Sequence, residues 1–316
     1  MPSLRSRIFS LLMRWHFKRR PVEDDDEFVR VARKLMNDPR RIPKRTPQDM
    51  TVEEVEEEVG GAVVRGEWVK PSGAGEGKAI IYYHGGGYIG GSPRHYRYTT
   101  FHLARLTKTR IFVPFYRLAP EDRFRLAVDD GVAAYRYVLS EFDARDVAFV
   151  GDSAGGGLLL ATMLTAREEG LELPSAGVCF SPYTDLAVTG ASIEANERSC
   201  VMFYAETVRR AARLYLGDAD PKHRHASPLY GDLAGLPPLQ IFASTTETLL
   251  DDSTRLIRRA REAGVTVDDQ IHKSLPHAWP IFPEYLPDAR EALGLAAEFI
   301  KGVWAKGVDA NVGRAA

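Results

Sequence analysis

Five short apolar runs, separated for the most part by helical patterns, restrict the fold of this chain more than any other feature. They span residues 79–83, 111–115, 147–150, 177–180 and 239–243, and a sixth strand-like segment follows at 265–271. Runs this short and this apolar read as strands buried on both faces, because a half-buried strand alternates with polar residues. Strands and helices that alternate along a chain build a mainly parallel sheet with helices on both sides. Ahead of them, Val52, Val55 and Val59, then Gly60 and Gly61, then Val63, Val64 and Trp68 predict a hairpin, and residues 71–77 a loop.

Two stretches interrupt the alternation. Residues 1–50 precede the sheet, and residues 186–228, with a helical run at 205–216 and a polar segment at 217–226, separate two strands. Neither adds a strand, so both are expected to form a helical cap above the carboxyl ends of the strands, where open α/β sheets bind ligands. The core then comprises residues 51–185 and 229–316.

Forty-two basic against 43 acidic residues leave a formal charge of −1, which provides no long-range field for nucleic acid and argues against DNA binding. Cys179 and Cys200 are too few for a disulfide framework and stand in no metal-ligand spacing with histidine, which fits a reducing cytoplasm and no metal site. The first twenty residues carry Arg5, Arg7, Arg14, Lys18, Arg19 and Arg20 and no acid. Their apolar stretch is broken by Ser10 and closed by Arg14 without a small-residue cleavage pattern, unlike a secretory signal. No segment is long enough to span a bilayer. Leu4, Ile8, Leu11, Leu12 and Trp15 recur at helical spacing. The segment is therefore amphipathic, suited either to pack on the protein or to lie on a membrane surface; packing is the expected outcome.

Three motifs carry chemistry. Gly151-Asp152-Ser153-Ala154-Gly155-Gly156 leaves the strand at 147–150 and enters a helical run at 158–167. Small residues around the serine allow the close approach of strand and helix that holds it on a strained turn, its hydroxyl exposed as a nucleophile. A phosphate loop, the other use of a glycine-rich helix start, would bring a lysine that does not follow here. His84-Gly85-Gly86-Gly87-Tyr88 follows the strand at 79–83. Its glycines can turn N–H groups toward one point, so Gly85 and Gly86, with Ala154 after the serine, are the expected oxyanion donors, and His84 is expected to hold the loop.

Leu275-Pro276-His277-Ala278-Trp279 follows the last strand and supplies an imidazole for proton shuttling. The carboxylate that orients it should come from the turn after residues 239–243, which offers Glu247, Asp251 and Asp252. Glu247 stands nearest the strand end, while the two aspartates stand where a helical run begins and read as capping residues. Tyr88, Tyr183, Phe203 and Trp279 are candidates for an apolar wall around substrate and equally for ordinary core aromatics.

Together these motifs resemble the bacterial hormone-sensitive-lipase-like esterases, a branch of the α/β-hydrolases, over the chain from about residue 60 onward. The resemblance extends to Tyr116-Arg117-Leu118-Ala119-Pro120-Glu121 and to Ser181-Pro182 with Asp185. It implies an α/β-hydrolase fold with a helical cap, a triad of Ser153, an acid and His277, no cofactor, and hydrolysis of short-chain carboxylic esters. Members place the acid thirty positions before the histidine, at Glu247 here; many have aspartate there, so Asp251 stays open. Members often dimerise, so a homodimer is an expectation. A lactone hydrolase would use the same serine machinery. A non-catalytic small-ligand-binding protein on this scaffold, such as the plant gibberellin receptor, lacks the catalytic histidine, which this chain has at His277.

Overall fold

Alternate residues of the central strands face opposite layers of helices. In β3 (Ala79–Tyr83), Ala79, Ile81 and Tyr83 enter one hydrophobic core while Ile80 and Tyr82 enter the other. β5 (Val147–Asp152) divides the same way, Val147 and Phe149 against Ala148 and Val150, as a pleated strand covered on both sides must. The structure is a computed structural model and describes residues 3–18 and 22–312. Arg19 and Arg20 of the basic N-terminal stretch lie outside the described residues.

β1 (Met50–Val59) and β2 (Ala62–Pro71) form the expected hairpin across Gly60 and Gly61, both at positive φ. β2 then pairs antiparallel with β4 (Arg110–Pro114), so the hairpin is one edge of the main sheet and not a separate element ahead of it. From β4 through β3, β5, β6 (Ala176–Phe180), β7 (Leu239–Ser244) and β8 (Val267–His272) the pairing is parallel throughout. Helices α3 (Arg97–Thr107) and α9 (Pro287–Val312) supply the core on one face; α4 (Leu126–Leu139), α5 (Ala154–Glu168) and α8 (Leu250–Glu262) supply the other.

The strand order β1-β2-β4-β3-β5-β6-β7-β8 decides where the chemistry lies. From β3 the chain first moves outward to β4 and then crosses back to β5 on the other side. Loops leaving the carboxyl ends of β3 and β5 thus diverge and leave a crevice between them, the usual ligand site of an open α/β sheet.

The segments outside the alternation close over that end. They contain α1 (Leu4–His16), α2 (Asp25–Met36), the single turn α6 (Ser192–Ala195) and α7 (Ala205–Leu216). The N-terminal helices form a cap. Arg210 on α7 donates to the carbonyls of Val22 and Glu23 and lies 5.2 Å over the Phe28 ring of α2, which ties the two segments together.

Helix α1 packs through a face other than the one its periodicity advertises. Ser3 and Ser6 hydroxyls donate to Asp288 at 2.7 and 2.5 Å, Phe9 meets Phe282 and Tyr285, and Met13 is buried in the core. The expected packing stripe of Leu4, Ile8, Leu11, Leu12 and Trp15 faces outward. A hydrophobic period shows that a stripe exists, not what it will face. Among the described residues no helix is long and apolar enough to cross a membrane.

Candidate active site

β5 ends at Asp152 and α5 begins at Ala154, which leaves Ser153 alone to turn the chain, at φ 51° and ψ −121°. A residue with a β-carbon is strained there, and the surroundings must hold it. Ser153 N–H donates to the Phe180 carbonyl at 2.9 Å, and its own carbonyl accepts from Gly157 and Tyr183 N–H at 3.1 and 2.9 Å. A β-carbon at Gly155 would stand 1.9 Å from the Tyr83 carbonyl oxygen, so only glycine lets α5 start this close to β3.

Register brings the glycine loop alongside. Tyr83 pairs with Gly151, which sets His84 and the glycines after it beside Asp152 and Ser153. His84 is buried, and burial pushes its pKa down to about 4, so the ring is neutral. Nδ1 donates to the Gly85 carbonyl at 2.8 Å, the ring stacks on Tyr116 at 4.3 Å, and Tyr116 hydroxyl donates to the His84 carbonyl at 2.7 Å. His84 therefore holds the loop, as its place at a strand end suggests.

The structure corrects one expected oxyanion donor. Gly85 N–H donates to Asp152 Oδ1 at 3.0 Å and is turned away from the crevice. Gly86 and Gly87 line the cavity instead, together with Ser153. Among the described residues the N–H groups of Gly86, Gly87 and Ala154 meet no acceptor. Gly86 has φ 124°, and a β-carbon there would lie 2.1 Å from the Gly90 carbonyl oxygen. A run of three glycines cannot reveal which N–H turns inward; here a buried carboxylate from the neighbouring strand claims the first.

That carboxylate is a residue sequence reasoning passed over. Asp152 also accepts from Tyr82 hydroxyl at 3.0 Å and Tyr96 hydroxyl at 3.3 Å. Burial pushes its pKa up to about 6, against the lowering pull of the Tyr82 and Gly85 hydrogen bonds. Nothing in the Gly-x-Ser-x-Gly pattern marks its middle residue as a strut for the glycine loop.

The histidine arrives on the loop after β8, pinned on both sides. Leu275 N–H donates to Ser244 Oγ and Ala278 N–H to Ser181 Oγ, each at 3.0 Å. Between them His277 Nδ1 donates to Glu247 Oε2 at 2.6 Å, and both side chains are buried. Glu247 Oε1 accepts from Ser244 N–H at 2.8 Å, which fixes the carboxylate plane. His277 Nε2 is buried without a hydrogen-bond partner, and no hydrogen bond joins it to Ser153 Oγ; imidazole and hydroxyl face one cavity. Among the described residues His277 is the histidine that lines it.

Asp251 and Asp252 go elsewhere. Asp251 Oδ2 accepts from Ser192 N–H at 2.9 Å, and Asp252 Oδ2 from Thr184 and Asp185 N–H at 2.8 and 2.9 Å. Neither caps its own helix, contrary to expectation, since α8 has no side-chain cap. Both satisfy backbone donors on the chain from β6 to the first residue of α6, donors that burial would otherwise leave unpaired. Burial, with the charge of Asp185 nearby, pushes the Asp252 pKa up to about 8.

The cavity has a volume of about 160 Å³. Tyr183 and Phe203 line it, and the Phe203 ring meets the His277 imidazole edge-on at 5.1 Å. Tyr88 and Trp279, the other two aromatic candidates, do not: Tyr88 stacks on Tyr215 at 4.0 Å, and Trp279 is fully buried against Phe242. Both rings belong to the hydrophobic cores, Tyr88 to one and Trp279 to the other. α2 contributes Phe28, Val31, Ala32, Leu35 and Met36, a helical stripe present in the sequence and not singled out there. Arg33 on the same helix donates to the carbonyls of Ile89 and Ala119 at 2.7 and 2.9 Å and pairs with Glu121 at 2.6 Å. Asn37 Oδ1 accepts from Gly91 N–H at 2.9 Å, so the cap is bolted to the glycine loop itself.

A strained serine after β5, a glycine loop after β3 and a carboxylate-held imidazole after β8, on this sheet, define the α/β-hydrolase class. Comparison with known proteins agrees, because residues 80–281 match the family described as alpha/beta hydrolase fold. The chain is 37% identical over 243 residues to an acetyl-hydrolase of Streptomyces hygroscopicus, covering 77% of this chain and 81% of that one. It is 32% identical over 255 residues to an esterase of Acinetobacter venetianus, covering 80% and 83%. Among solved structures, an esterase/lipase from an uncultured bacterium aligns with a TM-score of 0.88 at 35% identity, covering 96% of this chain and 99% of the other. An esterase of the bacterial hormone-sensitive lipase family aligns at 0.86 with 36% identity and the same coverage. The chain belongs to the alpha/beta hydrolase family and, within it, to the bacterial hormone-sensitive-lipase esterases, as a carboxylesterase/lipase-like hydrolase.

Proposed function

We propose that the protein hydrolyses short-chain carboxylic esters through an acyl-enzyme on Ser153. The observation that carries this reading is the buried 2.6 Å contact between Glu247 and His277 Nδ1, which leaves Nε2 toward the cavity that Ser153 shares. In the proposed cycle Nε2 takes the Ser153 Oγ proton as the oxygen attacks the ester carbonyl carbon. The carbonyl oxygen becomes an oxyanion and receives N–H groups of Gly86, Gly87 and Ala154. Collapse breaks the bond to the alcohol, whose oxygen is protonated by Nε2. Water then attacks the acyl carbon, giving a proton to Nε2, and the second collapse returns that proton to Ser153 Oγ and releases the acid. Hydrogen bonds of this kind tighten when substrate binds, so a free enzyme need not show the serine–imidazole contact.

Size supports the short-chain reading. An apolar cavity of about 150 Å³ takes a benzene-sized group, and the cleft here, partly open to solvent, has about 160 Å³. Residues 1–50 and 186–228 act together as the cap that limits it, a reading supported by the cavity residues of α2 and α7. A non-catalytic binder would have no use for a buried carboxylate–imidazole hydrogen bond beside a strained serine. Cys179 and Cys200, both free and buried, support a reducing compartment such as the cytoplasm.

The test is hydrolysis of p-nitrophenyl esters of increasing acyl length, with Ser153→Ala as control and a fluorophosphonate as label. Acetate and butyrate should turn over well above the control, long-chain esters poorly, and the label should attach only when Ser153 is present. Folded protein that performs no better than Ser153→Ala would end the proposal.

A further inference from the structure

Helix α1 turns its most apolar stripe away from the protein. Leu4, Leu11 and Trp15 are 73%, 70% and 84% exposed, and Ile8 and Leu12 complete the stripe. At the α-helical repeat these five side chains fall within an arc of about 100°. Arg5 borders the arc on one side, Arg7 and Arg14 on the other, and all three are exposed. The helix carries no acidic residue. Arg14 donates to the Arg198 carbonyl at 2.8 Å, a contact that leaves its charge unneutralised. The opposite face is already occupied by Asp288, Phe282, Tyr285 and the core around Met13. The stripe therefore has no partner within the described chain, and the helix that bears it is held firmly in place.

We propose that α1 is a docking face for an anionic lipid surface. The five apolar side chains enter the boundary between headgroups and acyl chains, and Arg5, Arg7 and Arg14 meet lipid phosphates. An apolar stripe with basic flanks suits that boundary, and an outward indole is at home there. A second copy of the chain fits less well. A twofold contact sets the same stripe against itself, which brings arginine edges together with no carboxylate on either helix to pair them. Phe17, the residue that ends α1, lines the catalytic cavity, so docking holds one wall of that cavity at the lipid surface.

Fluorescence tests this directly, because Trp68, Trp279 and Trp304 are buried and Trp15 alone reports the stripe. The full chain is titrated with vesicles of equal parts phosphatidylglycerol and phosphatidylcholine, and with phosphatidylcholine alone. A blue shift and co-sedimentation with the anionic vesicles are expected, with little effect of the neutral ones and weakening at high salt. Leu11→Ser with Trp15→Ser, and separately Arg5→Glu with Arg7→Glu, should each weaken co-sedimentation by about tenfold or more. Hydrolysis of soluble p-nitrophenyl butyrate should stay within about twofold, since these side chains touch neither cavity nor core. Absence of binding to anionic vesicles, or equal binding by both variants, overturns the proposal. So does a dimer without vesicle binding that Leu11→Ser with Trp15→Ser converts to monomer, which would assign the stripe to a second copy.

Discussion

Replacing Glu247 by glutamine keeps the shape of the site and removes one charge. Ser244 N–H, which now donates to Glu247 Oε1 at 2.8 Å, will bind the amide oxygen. The amide NH2 is then the group that faces His277 Nδ1. A donor facing Nδ1 requires that nitrogen to accept, which moves the ring proton to Nε2 and prevents Nε2 from taking the serine proton. The imidazolium of each half-reaction also loses its counter-charge. At 2.6 Å and an effective dielectric constant of about 20 that attraction amounts to about 6 kcal/mol. A ten-thousandfold fall in kcat corresponds to about 5.4 kcal/mol, the same order as the loss from the equivalent change in a serine protease triad. Glu247→Gln should therefore reduce kcat for p-nitrophenyl butyrate by about 10⁴ at neutral pH, with Tm changed little and KM nearly constant. Asp251→Asn, which disturbs only the contact to Ser192 N–H, should keep kcat within a few-fold. A Glu247→Gln enzyme that retained a tenth of its activity, beside an inactive Asp251→Asn enzyme, would refute the assignment of the acid.

Three further perturbations probe the surroundings. Asp152→Leu leaves Gly85 N–H and two tyrosine hydroxyls unpaired, each orphan costing about 1–3 kcal/mol; both Tm and kcat should fall, and Asp152→Asn should restore most of each, whereas full activity in Asp152→Leu would deny the carboxylate its part in holding the loop. Asp252 has a folded pKa of about 8 against 3.8 for the unperturbed group, so the folded state keeps a proton that the unfolded chain releases. That stability is complete below about pH 4 and is lost as pH rises toward about 8. Asp252→Asn should flatten the decline of Tm over this range, and parallel Tm curves would contradict it. Arg33→Ala should lower kcat/KM by about tenfold with little change in Tm, because its ion pair to Glu121 is partly exposed and weak, while its bonds to Ile89 and Ala119 fasten the cap to the segments after β3 and β4; unchanged kinetics would show that those segments stand without it.

Sequence alone was enough for the strand and turn pattern, which depends on neighbours along the chain. Uniform apolar runs at 79–83 and 147–150 can be satisfied only by a sheet covered on both sides, and glycines around Ser153 permit only a tight strand-to-helix turn. These are local rules of period and backbone sterics, so they can be read before any contact is known. Glu247 and His277 were also within reach, since each follows directly from the end of a strand. Tertiary structure decided whatever turned on competition between distant groups. Asp152 claims the Gly85 N–H because β3 and β5 lie side by side in one register. Asp251 and Asp252 serve donors on a segment about sixty to seventy residues away in the chain, a pairing that no spacing rule announces. Helix α1 rests on its serines and shows its leucines to solvent because Asp288 reaches Ser3 and Ser6. A side chain's orientation follows from which partner reaches it first in space, and one-dimensional order holds no record of that distance.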